Sequence, residues 1–380
     1  MSSHPSRRTL LAASSAALLP ATAARAMTTD PTFWGAVRLA TDAPHLAEVA
    51  PWQGDRFTAL QGEPGGRIFY GYGNYATNSG SRSHTGVSVA YFDTATGLFG
   101  TALGMPGEAI DTYRVHAGRT YVPNTDPITG GVALATDVTG TWGTRVKAMT
   151  HVHDIVCGVD ANDIVIAGST DVDGVSNAIV HRSRDGGNTW SEVYRYAEGV
   201  GGDYERVNWL TRIADTVFWR ADVGTIGTTR APMMVLDLVS GRLTKVSDSK
   251  FRTGWSSASG RSLYVGEDIT RGRQVVSTGT LAYFVHSPDL WWFDGRSVGR
   301  VQSNATYPYS VNDVAVDPVT STVYANDQSG IYRVAGKSMT LVKSLQTGYD
   351  IAEYDAFTVL SGVGYLAANS GYAIYRLPLS

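Results

Sequence analysis

The chain has 380 residues, 43% of them hydrophobic and 17% charged, with 31 basic residues against 34 acidic ones. That length and apolar content can bury a large core, and a mildly acidic chain without a Lys/Arg cluster argues against nucleic acid as a partner. The single cysteine, Cys157, excludes an internal disulfide and, flanked by Ile155, Val156 and Val159, reads as a core residue.

In chain order, residues 1–26 read as an export signal. Ser6-Arg7-Arg8-Thr9-Leu10-Leu11 is a twin-arginine segment, an apolar run continues to Leu19, and Ala24-Arg25-Ala26 is a small-x-small cleavage site. The mature chain is expected to start near Met27, secreted or periplasmic. The apolar run is too short to span a bilayer and no cysteine sits at the cleavage point, so no membrane anchor is expected. Loss of Arg7, Arg8 and Arg25 leaves 28 basic residues against 34 acidic ones.

Residues 27–380 read as one all-β domain. Short apolar runs alternate with Gly, Asp, Asn and Pro turns, and strongly amphipathic helical periods are absent. Phe33–Leu39 is the first strand. In Gly71-Tyr72-Gly73-Asn74-Tyr75-Ala76-Thr77-Asn78-Ser79-Gly80, tyrosines interleave with glycine and asparagine. That pattern suits a loop stacking on sugar rings, and equally a long second-to-third-strand loop whose aromatics pack. His151-Val152-His153-Asp154 is the sharpest local cluster. Residues two apart on a strand share a face about 6.6 Å apart, which suits a shared metal or an acid/base and donor pair. The plainer reading, which two histidines alone do not displace, is a pair of polar side chains satisfying backbone groups at a strand entrance.

Ser183-Arg184-Asp185-Gly186-Gly187-Asn188-Thr189-Trp190 fits Ser-x-Asp-x-Gly-x-Thr-Trp without a gap. Asp185 can accept from turn amides, Gly186-Gly187 tolerate positive φ, and Trp190 can pack between sheets. This Asp box resembles that of the sialidase-like, BNR-repeat β-propellers. The resemblance implies a propeller and makes Ser183, Asp185, Gly187, Thr189 and Trp190 a structural turn. It does not bring the sialidase mechanism with it. Sialidases carry an early Arg-Ile-Pro segment, and Arg67-Ile68-Phe69 departs at the proline; no motif fixes an arginine triad.

Related turns begin at Asp93, Asp137, Asp237 and Asp294, so that successive turns are 44, 48, 52 and 57 residues apart. That is the spacing of four-stranded propeller blades. The ruler predicts seven four-stranded blades beginning near Arg56, Ile110, Val152, Val207, Thr253, Val311 and Ala352. The seventh has three strands before Ser380, and Phe33–Leu39 is expected to supply its outer strand and remove an exposed edge. The fifth, long and irregular, leaves six or eight blades open.

First strands line the central channel of a propeller, so their polar residues are the candidates for chemistry. Asp111, Asp313 and Glu353 are candidate catalytic carboxylates, since glycoside hydrolysis needs two carboxyl groups about the bond. His151, His153, Arg114, Arg206, Tyr72, Asn74 and Tyr75 are candidate substrate contacts, and His151 with His153 is a candidate metal pair. Asp154, Asn208, Arg252, Trp255, Asn312, Asp350 and Asp355 complete the expected ring. The sequence requires no cofactor, and a divalent metal is compatible with it. Three readings follow: a monomeric secreted propeller that binds or hydrolyses extracellular glycan or another small molecule, a scaffold for a protein partner, or a metal-dependent enzyme.

Overall fold

The computed structural model describes residues 31–33, 36–40, 57–73, 87–105, 107–127, 134–136, 142–144, 149–172, 175–196, 205–223, 229–246, 252–256, 262–264, 275–286, 288–303, 311–327, 330–345, 354–368 and 373–379. The export signal, Asn74, Tyr75, Asp350 and Glu353 lie outside them. Every regular element among the described residues is a strand, and no helix is long and apolar enough to cross a membrane.

Among the described residues, six blades each take four antiparallel strands, in chain order, from one stretch of chain, with short two-stranded sheets at Gly107–Ala109/Thr125–Pro127 and Asp222–Val223/Thr229–Arg230 set apart from blades 2 and 4. Blade 1 uses Ala59–Glu63, Arg67–Gly71, Val87–Asp93 and Leu98–Met105. Blade 2 uses Arg114–His116, Arg119–Val122, Leu134–Thr136 and Trp142–Thr144. Blade 3 uses His151–Cys157, Ile164–Val172, Val175–Ser183 and Ser191–Arg195. Blade 4 uses Thr211–Ile213, Thr216–Trp219, Met233–Asp237 and Leu243–Val246. Blade 5 uses Val275–Ser277, Ala282–His286, Asp289–Phe293 and Val298–Arg300. Blade 6 uses Asp313–Val316, Val323–Asn326, Gly330–Ala335 and Ser338–Ser344, with Gln302–Ser303 added in parallel at its outer edge.

The self-contained blades therefore number six rather than the seven expected. The remaining sheet is a composite of both ends of the chain. Tyr354–Leu360, Val363–Ala368 and Ala373–Pro378 pair in order, Ala36–Ala40 adds to Ala373–Pro378, and Pro31–Phe33 pairs outside it.

Neighbouring sheets share hydrophobic clusters because the middle strands of the blades are buried on both faces, as in Arg67–Gly71 and Ala282–His286. On the second strand of blade 3, Ile164 and Ile166 pack toward blade 2, whereas Val165 and Ala167 pack toward blade 4. Such a strand reads as a continuous apolar run. Further clusters join blades 4 and 5, 5 and 6, and blade 6 to the composite sheet, and the largest joins the composite sheet to blades 1 and 2. Sheets placed face to face in this closed order make a β-propeller.

One boundary differs from its expected place. The inner strand of blade 5 starts at Val275, not Thr253. Arg252–Ser256 pairs only with Ser262–Tyr264, as a separate two-stranded sheet. Arg252 and Trp255 thus leave the expected inner ring, because the turn spacing measures total length and cannot separate a blade from an insertion ahead of it.

Candidate functional site

The Asp box forms the turn between the third and fourth strands of blade 3. Asp185 Oδ1 accepts from Asn188 N at 3.0 Å, Thr189 N at 2.9 Å and the Ser183 hydroxyl at 2.7 Å, while Oδ2 accepts from the Thr189 hydroxyl at 2.7 Å. Ser183 Oγ accepts in turn from Gly187 N at 2.8 Å. Gly186 and Gly187 sit at φ of 74° and 88°, which glycine adopts without a Cβ penalty. Those bonds hold the Asp185 carboxyl well below the usual carboxylate range. Trp190 packs against the cluster between blades 2 and 3. The box is saturated by its own turn, at the outer edge of the sheet.

Arg114 bonds to the inner strands of two other blades. Arg114, first residue of the inner strand of blade 2, donates from Nε and Nη2 to the two oxygens of Asp154 on blade 3, each at 2.8 Å. Its Nη1 donates to Val275 O on blade 5, also at 2.8 Å. Asp154 is fully buried and also accepts from Ile155 N at 2.9 Å and from Leu210 N, ahead of the inner strand of blade 4, at 2.7 Å. A bidentate, charge-assisted pair of this kind is strong and directional. It ties blades 2, 3, 4 and 5 together.

Asp313 repeats the device on blade 6. Its Oδ1 accepts from Val314 N at 2.9 Å and its Oδ2 from Phe357 N of the composite sheet at 3.4 Å. It is only 7% exposed, yet it lines a cavity of about 130 Å³ with Arg114 and His116. Asp111 is half-buried just before the inner strand of blade 2.

His151 and His153 do come together. Their rings are parallel to within 8° with centroids 6.3 Å apart, and both are half-buried. The strand does not alternate regularly there: the pairing slips between Val152 and Asp154, leaving His153 as the bulged residue. Among the described residues no group of three or more His, Cys, Asp or Glu side chains is placed to hold a metal. Arg206 lies ahead of the inner strand of blade 4, its backbone bridged to Asp222. Tyr72 is not a loop residue open to ligand: it is 3% exposed in the blade 1 core, and its phenol oxygen accepts from Ser88 N at 2.7 Å.

A second cavity, of about 290 Å³, opens at the trailing mouth, where inner strands turn into second strands. Arg114, His116, Thr211, Arg212, Asp215 and Ser277 line it. Burial, then the charges of Arg114 and Arg212, push the His116 imidazole down to about 3, so it is neutral near pH 7. His116, Thr211, Arg212 and Asp215 were absent from the sequence candidates. Arg114-x-His116 has the same two-residue spacing as His151-x-His153 and was legible by the same rule; nothing local marks Thr211 or Arg212.

No family model matches the chain, and no curated protein matches it. Among solved structures it is similar to a selenomethionine-substituted virginiamycin B lyase from Staphylococcus aureus, with 10% identity, a TM-score of 0.49, and 84% of this chain and 94% of that chain covered. It is also similar to BamB from Moraxella catarrhalis, with 12% identity, a TM-score of 0.39, and 84% and 83% covered. Likenesses this distant bring no activity to the chain. The propeller rests on the sheets themselves, and the sialidase-like resemblance rests on the Asp box alone.

Proposed function

We propose that the chain is an exported recognition propeller that binds extracellular carbohydrate at the leading mouth of its channel, where the inner strands begin, without cleaving it. One observation carries the preference for binding over hydrolysis. Asp154 and Asp313, the buried inner-strand carboxylates, each spend both oxygens on amides or guanidinium of neighbouring sheets. A glycosidase needs one carboxyl free to protonate a leaving group and a second to act on the sugar. Neither tied aspartate suits that work. The paired imidazoles of His151 and His153, with Arg206 and Asp111, supply donors and acceptors for sugar hydroxyls instead.

We read the composite sheet as the seventh station of the ring, closed by the N-terminal strand. The twin-arginine segment supports delivery outside the cytoplasm, and the Asp box supports kinship with sialidase-like propellers. A glycan panel that scores both binding and released sugar tests this function. Binding without turnover is expected. Sugar release that persists in an Asp313→Asn variant would assign hydrolysis to other residues, and an empty panel would remove the carbohydrate reading. Metal analysis of protein purified without an affinity tag tests the metal reading of His151 and His153 separately.

A further inference from the structure

We propose that the trailing cavity binds a small oxyanion-bearing molecule, a carboxylate or a phosphate, through Arg212, Thr211 and His116. The site is separate from the leading mouth, and neither reading depends on the other. At about 290 Å³ the cavity lies at the small end of the range for ligand sites.

Two buried polar atoms on its lining lack a hydrogen-bond partner. Thr211 is 3% exposed and its hydroxyl makes no bond; His116 is half-buried, and its buried Nε2 makes none either. Buried polar groups are nearly always satisfied, so two such atoms around one cavity, from blades 2 and 4, call for polar atoms of a ligand.

The charge balance selects the ligand's sign. Arg114 is neutralised by Asp154 through two 2.8 Å bonds. Among the described residues Arg212 has only Asp215 as an acidic partner, at 3.6 Å and 61% exposed, where solvent screens the pair. The other bonds of Arg212 go to the carbonyls of Ala214 and Cys157, which leave its charge in place. Asp313 shares the smaller cavity with His116, and its two oxygens accept from the amides of Val314 and Phe357; the neighbours Tyr121 and Cys157 carry no negative charge near pH 7. Tyr121, 6.2 Å away ring to ring, is held up by burial, and burial pushes the Cys157 thiol up to about 11. Arg119 on the adjoining strand adds a further positive charge. Burial is the larger cause of the neutral imidazole, and the guanidinium charges of Arg114 and Arg212 add to it; an oxyanion seated between Arg212 and His116 would offset that charge contribution and pair with the protonated ring. His116 would then take up a proton and donate it in a hydrogen bond to the ligand, so binding is coupled to proton uptake.

Calorimetric titration of the full chain with inorganic phosphate and with acetate, glucose serving as the neutral probe, tests the site. At about pH 6, in two buffers of different ionisation enthalpy, either anion should bind with net proton uptake and glucose should not compete at this cavity. Arg212→Gln should weaken anion binding at least about tenfold, the size of one lost charged hydrogen bond. His116→Gln should abolish the proton uptake that accompanies acetate binding, since acetate is already ionised at about pH 6 and phosphate exchanges protons of its own. Binding unchanged in Arg212→Gln, or no anion binding to the unaltered chain, overturns the proposal. If either variant fails to fold, imidazole ¹⁵N shifts of the unaltered protein decide. A histidine titrating near 3 should move into the usual imidazole range with phosphate, and one that stays put overturns the site. Glycan binding without anion binding would sink this site and leave the recognition function standing; the reverse outcome would do the opposite.

Discussion

Asp185 shows how much one side chain can organise. Four donors converge on its two oxygens within a turn of a few residues, and all of them lose that acceptor if it is removed. Asp185→Ala should therefore lower the melting temperature while leaving ligand affinity intact, because the turn lies at the outer edge of its sheet. Lost affinity in a normally folded variant would make the box functional. His116 gives a pH dependence of defined sign. Its folded pKa lies below its ordinary value, so its contribution to stability is complete above about pH 6.5 and is lost as pH falls toward 3. His181, lowered by burial against the pull of Glu192, acts in the same direction. Melting temperature measured against pH should thus decline below about 6.5, and less steeply in His116→Gln. An unchanged slope would show that the imidazole is not held neutral in the fold.

At the scale of the element, the inner strand of a blade has two broad faces that look at the two neighbouring blades, with only its edge toward the channel. Strand parity therefore chooses which neighbour a side chain meets. Parity does not separate channel from core: Val152 and Ile155 pack toward blade 2, Val156 toward blade 4, and Asp154 bonds to both sides. The turns were more legible. Those at Asp93, Asp185, Asp237 and Asp294 all join third to fourth strands, and Asp137 falls in the same interval of blade 2. Their signal is local, an aspartate accepting from the next amides with a glycine at positive φ, as at Asp237 and Gly241. Blade 6 makes its corresponding turn with Gly336-Lys337 and no aspartate, so it carried no such mark. Asp154→Ala tests the stitching of the blades. It leaves the Arg114 guanidinium buried without its carboxylate and frees Leu210 N, and should cost about 3–5 kcal/mol in denaturant unfolding. A loss below about 1 kcal/mol would mean that the pair contributes no more than a surface bridge.

Across the whole molecule, contacts between sheets repeat around the ring. Tyr113 donates to Tyr70 O between blades 2 and 1, Arg182 reaches Leu238 O between blades 3 and 4, and Tyr283 reaches Gly336 O between blades 5 and 6. Asp317 accepts from Ser361 N and Gly362 N of the composite sheet, and Gly62 N of blade 1 donates to Thr358 on that sheet's other side. The composite sheet thus has a bonded neighbour on each face. A chain starting at Thr41 lacks both N-terminal strands and leaves Ala373–Pro378 as an open edge. Its melting temperature should fall, and it should self-associate on sedimentation. Equal stability and a monomeric state in that truncation would show that the ring holds without its closing strand.

The pairing of Val37 with Arg376 joins positions separated by almost the whole length of the chain. Contacts of that separation pay the largest loop-closure entropy and form late. The strand at Ala373–Pro378 is synthesised long after Ala36–Ala40, so until it emerges the earlier strand has no mate. The six contiguous blades can assemble from local hairpins while the N-terminal segment waits. Folding of this propeller should accordingly show a slow final phase belonging to the composite sheet. A circular permutant that joins the natural ends and opens the chain between two blades would move that phase elsewhere in the ring.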